Sequence, residues 1–156
     1  MIEITIRTAT AKDVPAMMTL VRELAEFEKA PDEVANTEAK MIEEGFGQSP
    51  AFQAIVAEVD NNVIGMSVFY YSYSTWKGKS IYIDDIIVNE AFRGKGIGSK
   101  LMEATILRAK QENVGKLHWQ VLDWNEPAIR FYQKYEAVFD PEWVNCSISR
   151  DRLAKF

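Results

Sequence analysis

The chain has 156 residues, enough to bury a core in one domain without disulfide or metal staples. Hydrophobic residues make up 47% and charged residues 26%, which excludes a disordered chain, and the single cysteine, Cys146, excludes an internal disulfide. A net charge of −5 gives no footing for nucleic acid, and no apolar run approaches a membrane span.

The opening MIEITIRTAT has no basic stretch leading into an apolar one. With one cysteine, this sets the expectation of a cytoplasmic protein. Residues 2–8 alternate apolar and polar and predict a strand. Thr10 and Asp13 have capping-box spacing, and Val14, Met17, Met18, Val21, Leu24 and Ala25 follow at helical intervals. A helix over about 11–29 is expected, ended by Pro31. A second, short helix over Ala39–Glu44 should stop at Gly45-Phe46-Gly47. Residues 52–59 and Val63–Tyr73 read as strands joined by an Asp60-Asn61-Asn62 turn. Trp76–Lys79 reads as a loop, and Ser80–Val88 as the third strand.

RGKGIGS, residues 93–99, comes next and leads into a helix to about Asn113. Ile97, Leu101, Ala104 and Leu107 or Arg108 should form its apolar stripe. Lys116–Leu122 reads as a strand, Asn125-Glu126-Pro127 opens a further helix, and Trp143–Ser149 fits a last strand. The order is a mixed α/β pattern in a single domain over 1–156.

Two features in this order carry chemistry. Consecutive backbone N–H groups at a helix start form an anion site, and glycines let a phosphate touch the main chain. Arg93 and Lys95 add cationic side chains. The P-loop pattern fails, because Ser99 stands where its second glycine belongs. The dinucleotide fingerprint fails from either Gly94 or Gly96. The second feature is Asp84-Asp85 inside the apolar run IYIDDIIV. Two acids there are costly to bury unpaired. Regular pleating sends them to opposite faces, so both address one pocket only where the strand is bulged or splayed.

Arg93, Gly96 and Gly98 match Arg/Gln-x-x-Gly-x-Gly/Ala. With Ile86-Ile87-Val88 before the loop, then Asn125 and Phe131-Tyr132, the chain resembles the GNAT N-acetyltransferases. LAEFE (24–28), EEGFG (43–47), Tyr82–Asp85 and DWNEPAIRFY (123–132) resemble the spermidine/spermine branch, which includes thialysine-acetylating enzymes. The resemblance spans residues 4 to 149. It implies the GNAT acyl-CoA fold: a mixed, mostly antiparallel sheet flanked by helices, with splayed central strands.

It also implies acetyl-CoA as co-substrate. Pantetheine would lie along the backbone of Ile86, Ile87 and Val88, and the diphosphate on Arg93, Gly94, Lys95, Gly96, Ile97, Gly98 and Ser99. Asn125 and Tyr132 would complete the cofactor contacts. Tyr132 would protonate the leaving thiol, since a phenol of ordinary pKa ~10 lies within reach of a thiolate near ~8.5. Asp84 would take the amine proton through water, while Asp85 and Glu28 hold a second ammonium. Phe27, Trp76 and Glu142 would complete the amine site, with Trp143 as a further aromatic. Packing or a solvated surface equally explains Glu28, Trp76 and Trp143.

Four residues depart from the branch. Phe27 replaces Tyr, Ser74 replaces an acid, Asp84 replaces Glu, and Glu136 replaces a glycine. The first three touch amine recognition, which favours a short amine or amino acid over a long polyamine. His118 reads as structural and Cys146 as no nucleophile, and no residue cluster calls for a metal. The resemblance implies a homodimer acting on a small amine. A protein-acetylating enzyme and a non-catalytic acyl-CoA sensor are the alternatives.

Overall fold

Alternating apolar residues in the first half of the chain resolve into strands of one sheet. The computed structural model describes residues 3–156; Ile2, where the first predicted strand begins, lies outside them. These residues form two compact units, one running to Gln120 and the other Val121–Phe156.

In the first unit, β1 (Thr5–Thr8), β2 (Gln53–Val59), β3 (Asn62–Ser74), β4 (Gly78–Val88) and β5 (Lys116–His118) lie in sequence order across the sheet. Neighbours are antiparallel except β4 and β5, which run parallel. The β2–β3 hairpin turns on Asp60 and Asn61, both left-handed at φ 49° and 62°. Aspartate and asparagine tolerate that region best among residues with a side chain. The expected capping box at 10–13 is present, with Thr10 N–H donating to Asp13 Oδ2 at 2.7 Å. It opens a 3₁₀ turn that runs into α1 (Val14–Phe27).

Two layers of side chains flank the sheet. Val14, Met17, Met18 and Leu20 of α1 pack with Met41 of α2 (Glu38–Phe46) against Ala54, Val56, Met66 and Ile87. On the other face, α3 (Ile97–Gln111) buries Ile97, Leu101, Met102, Thr105 and Ala109. Ile97 and Leu101 of the expected stripe are buried and Ala104 is half-buried; of the two alternatives for its end, Arg108 is half-buried and Leu107 is 52% exposed. The stripe also takes in Thr105, through a buried hydrogen bond of 2.8 Å between Ser67 Oγ and Thr105 Oγ1. A hydroxyl there is satisfied on both sides, because Thr105 also donates to Leu101 O at 2.9 Å.

Helix α2 ends at Phe46, inside the expected Gly45-Phe46-Gly47 stop, with Gly47 as its C-cap. Gly45 lies within the last turn, where a Cβ would stand 2.1 Å from Phe52 Cζ. Two other expectations are corrected. Strand β5 has three residues, not seven. Its ladder with Ser80–Tyr82 ends two residues before Asp84, where β4 becomes irregular. Residues 143–149 join no strand ladder, and Trp143 and Val144 are 81% and 83% exposed. Alternation gives a segment two unlike faces but does not supply a partner edge.

The second unit holds α4 (Glu126–Gln133) and α5 (Arg150–Leu153). Pro127 sits in the first turn of α4, and Asn125 Oδ1 caps it by accepting from Ala128 N–H at 3.3 Å. Beyond α4 the chain turns at Glu136, left-handed at φ 55°. Among the described residues, no helix is long and apolar enough to cross a membrane.

A glutamate at φ 55° carries strain that glycine would not. Glu136→Gly should raise stability by about 0.5–1 kcal/mol, the relief exceeding the added unfolded-state entropy. Thermal unfolding should show a midpoint ~1–3 °C higher; a lower midpoint would contradict the strain.

Candidate active site

The two acids meet because β4 carries one residue too many. Asp85 lies opposite Val68 and Ile83 opposite Phe69, so Asp84 has no partner across the ladder. This is a β-bulge, the irregularity that the acid pair requires. Without it, Asp84 and Asp85 would point to opposite faces. With it, their carboxyls approach within hydrogen-bonding range on the α1 side of the sheet, where Met66, Val68 and Tyr70 also point.

Crowding changes their acidity. Burial pushes the Asp85 carboxyl up to about 7, helped by the charges of Asp84 and Glu28 and by its hydrogen bond to Asp84. Asp84 reaches solvent, yet the sheet beneath it still desolvates the carboxyl and raises it. The hydrogen bond from Asp85 opposes that rise, so the pair shares a proton that resides on Asp85. Glu28, at the end of α1, is also raised by desolvation.

Around the acids stand groups that sequence reasoning left out of the site. Tyr82 stacks at 5.1 Å from Tyr70 and meets the His118 ring edge-on at 5.0 Å. His118 Nε2 lies 3.0 Å from Ser72 Oγ. Burial and the charge of Lys116 push His118 down, which favours the neutral ring. Burial comes first in raising the Tyr82 hydroxyl, followed by the charges of Tyr70, Asp84 and Asp85. The signal for Tyr70 and Tyr82 was their alternation with buried neighbours, which puts them on the acids' face.

Beside the acids, the sheet opens. The β4–β5 ladder spans only Ser80–Tyr82, so β4 parts from β5 before the bulge. Asn89 N–H donates to Ile64 O at 2.9 Å. In an antiparallel ladder this phase turns Ile87 toward β3 and presents the N–H and C=O of Ile86 and Val88 to the opposite edge. Arg93 Nε donates to Val88 O there at 3.0 Å, and its guanidinium lies 5.7 Å over the Phe27 ring.

The glycine loop ends in a bare helix start. Gly94 and Gly96 are left-handed at φ 74° and 78°, and no atom lies within 4 Å of where a Cβ would stand on either. Gly96 is the N-cap of α3 and has no side chain to cap it. The first helical bond runs from Lys100 N–H to Gly96 O at 3.1 Å. Ile97, Gly98 and Ser99 therefore present N–H groups that the helix does not use. An exposed loop of this shape fits a diphosphate. Lys95 Nζ is turned back onto Ala91 O at 3.1 Å.

The remaining predicted residues are Asn125, Tyr132, Glu142 and Trp76. Asn125 and Tyr132 belong to the second unit, on α4, where the Tyr132 ring meets Phe131 at 5.3 Å. Glu142 is exposed in that unit. Trp76 is 89% exposed on the β3–β4 turn. Six residues of β4 separate that turn from Asp84, roughly 20 Å along the strand, so this chain does not bring Trp76 to its own acid pair. Among the described residues, no group of three or more His, Cys, Asp or Glu side chains is placed to hold a metal ion.

Comparison with known proteins adds three findings. The family described as "Acetyltransferase (GNAT) family" matches residues 17–136. Thialysine N-epsilon-acetyltransferase of Bos taurus is 39% identical over 136 residues, covering 82% of this chain and 80% of the relative. An integron cassette protein from V. cholerae superposes with a TM-score of 0.79 at 22% identity, over 97% of this chain and 96% of the other.

The raised Asp85 has a consequence for stability. Below pH ~4 both folded and unfolded chains hold its proton and the site costs nothing. As pH rises toward about 7 the unfolded chain ionises while the folded one does not, so stability falls across that window. Asp85→Asn should therefore stabilise the protein at neutral pH by roughly 1–3 kcal/mol, allowing for solvent screening, and by little at pH 4. Urea unfolding at both pH values checks this; an equal effect at both would rule out the titration.

Proposed function

The chain belongs to the GNAT acetyltransferase family, and on that footing we propose that it acetylates the primary amine of a small cationic molecule. The substrate is a diamine, a polyamine or a thialysine-like amino acid, with short amines and amino acids preferred. The observation that carries this reading is the bulge that turns Asp84 and Asp85 onto one face. A carboxylate pair there, with Glu28 beside it, supports recognition of a molecule with more than one ammonium.

Acetyl-CoA supplies the acetyl group as a thioester. The Ile86 backbone and the Val88 N–H on the open edge support pantetheine binding by strand addition, the Val88 carbonyl being held by Arg93 Nε. The N–H groups from Gly94 to Ser99 support a diphosphate site, with Arg93 and Lys95 adding charge. Asn125 and Tyr132 take their roles from the family resemblance: Asn125 contacts the cofactor, and Tyr132 gives its proton to the departing sulfur.

An amine of pKa ~10.4 is almost wholly protonated at pH 7, and a carboxylate beside it favours that charged form. Asp84 therefore accepts the amine proton through a water molecule. A cation arriving at Asp85 lowers its raised pKa, so binding of a second ammonium expels the proton that Asp85 holds. The protein acts as a homodimer in the cytoplasm. Exposed Val138, Trp143, Val144 and Phe156 support a second copy covering them.

A free-thiol release assay across diamines, polyamines, amino acids and peptides tests the reading. Thiol release on small amines and none on peptides is expected. Tyr132→Phe should lower kcat about 10²–10⁴-fold, and Asp84→Asn should lower kcat/KM and change its pH profile. An unchanged profile in Asp84→Asn refutes the water relay. Calorimetric binding of acetyl-CoA without thiol release on any amine would favour a sensor over an enzyme.

A further inference from the structure

We infer that Glu23 and Asn89 are positioning residues for the co-substrate, a hydrogen-bonded clasp between α1 and the end of β4 that holds the entry of the glycine loop in its binding geometry. This deepens the proposed function and rests on it.

The loop needs a fixed point at its entry. Between Asn89 and Ile97 the chain runs for seven residues, and all but Phe92 are exposed. At the far end, Ile97 is buried in the core at 1% exposure. At the near end, Asn89 is half-buried and polar, so hydrogen bonds fix it instead. Its N–H donates to Ile64 O at 2.9 Å and ties the end of β4 to β3. Its Oδ1 accepts from Ala91 N–H at 3.1 Å and caps the 3₁₀ turn over Glu90–Phe92, which feeds the loop. Its Nδ2 donates to Glu23 Oε1 and Oε2 at 2.9 and 3.2 Å. One side chain therefore shapes the turn and ties it to α1.

Open space on both sides of the pair makes this tie matter. Glu23 and Asn89 line a cavity of about 690 Å³ together with Glu26 and Glu90. They also line a second cavity of about 250 Å³ together with Leu20, Ile64 and Phe92. Close packing is interrupted there, and hydrogen bonds to a carboxylate, which are among the stronger ones, carry the connection.

The charge of Glu23 gives the inference a sign. Acetyl-CoA is a polyanion, and a carboxylate in a cavity beside its loop repels it. On charge alone, removing Glu23 would tighten co-substrate binding. The clasp acts in the opposite direction, because a loop held in place loses less freedom when the ligand arrives.

The test measures KM for acetyl-CoA and kcat at saturating amine. Glu23→Ala should raise that KM about tenfold and leave kcat within about twofold. A merely structural defect would lower the active fraction, and with it kcat, while leaving KM alone. Glu23→Gln removes the charge but keeps an acceptor for Asn89, so its KM should stay at or below the native value. Asn89→Asp keeps the cap on Ala91 N–H but sets a second carboxylate against Glu23, and KM should rise at least as far as in Glu23→Ala. Combining Asn89→Asp with Glu23→Gln should restore the native KM, since the new amide then donates to the new carboxylate. An unchanged or lowered KM in Glu23→Ala overturns the inference. So does a Glu23→Gln variant as impaired as Glu23→Ala, or a double variant without recovery. Calorimetry on the native protein separates this from the underlying reading: if acetyl-CoA binds, such results defeat the clasp alone, and if it does not bind, the acetyltransferase reading fails as well.

Discussion

The site depends on a single extra residue in β4. Asp84 has no partner in the ladder, and its insertion re-aims the strand so that two consecutive acids share a face. The cost is desolvated carboxyl charge on a sheet that is otherwise apolar there, with Ile83 and Ile87 buried on either side. The core of α1, α2 and the sheet lies beneath and supplies the stability against which this cost is set. The same irregularity lies two residues beyond the end of the β4–β5 ladder, so acid pair and open edge are neighbours along β4.

Several contacts tie together the elements around the bulge. Ser67 and Thr105 lock α3 to β3 by a buried hydrogen bond, which fixes the start of α3 after the glycine loop. Asn89 ties the end of β4 both to Ile64 through its backbone and to Glu23 of α1 through its side chain. Arg93 spans the interval between the β4 edge and Phe27. Loop, edge and acids are thus held by separate contacts.

Much of this was legible where a residue has one physical use. Asp60-Asn61 announced its turn because few residues tolerate left-handed backbone. Two acids in an apolar run implied a bulge, because regular pleating makes their positions too expensive. Long-range partners were not legible. Gly45 marked the end of α2, but its second use, clearing space for the ring of Phe52 seven residues later, was hidden. Thr105 was missing from the α3 stripe because hydrophobicity could not foresee that it would find Ser67. Residues 143–149 alternate as a strand does, but a strand is a relation between two segments, and this one has no ladder. His118 read as structural, and its bond to Ser72 agrees. Its place beside Tyr82, near the acids, follows from a parallel register that only the fold sets.

The left-handed backbone at Gly94 and Gly96 has a thermodynamic corollary. A peptide that must reorganise to meet a ligand spends part of the interaction energy on its own ordering. Here the dihedral angles that turn successive amides outward are present in the chain by itself. Affinity gained in this way comes from entropy already surrendered during folding, so it needs no additional contact with the guest.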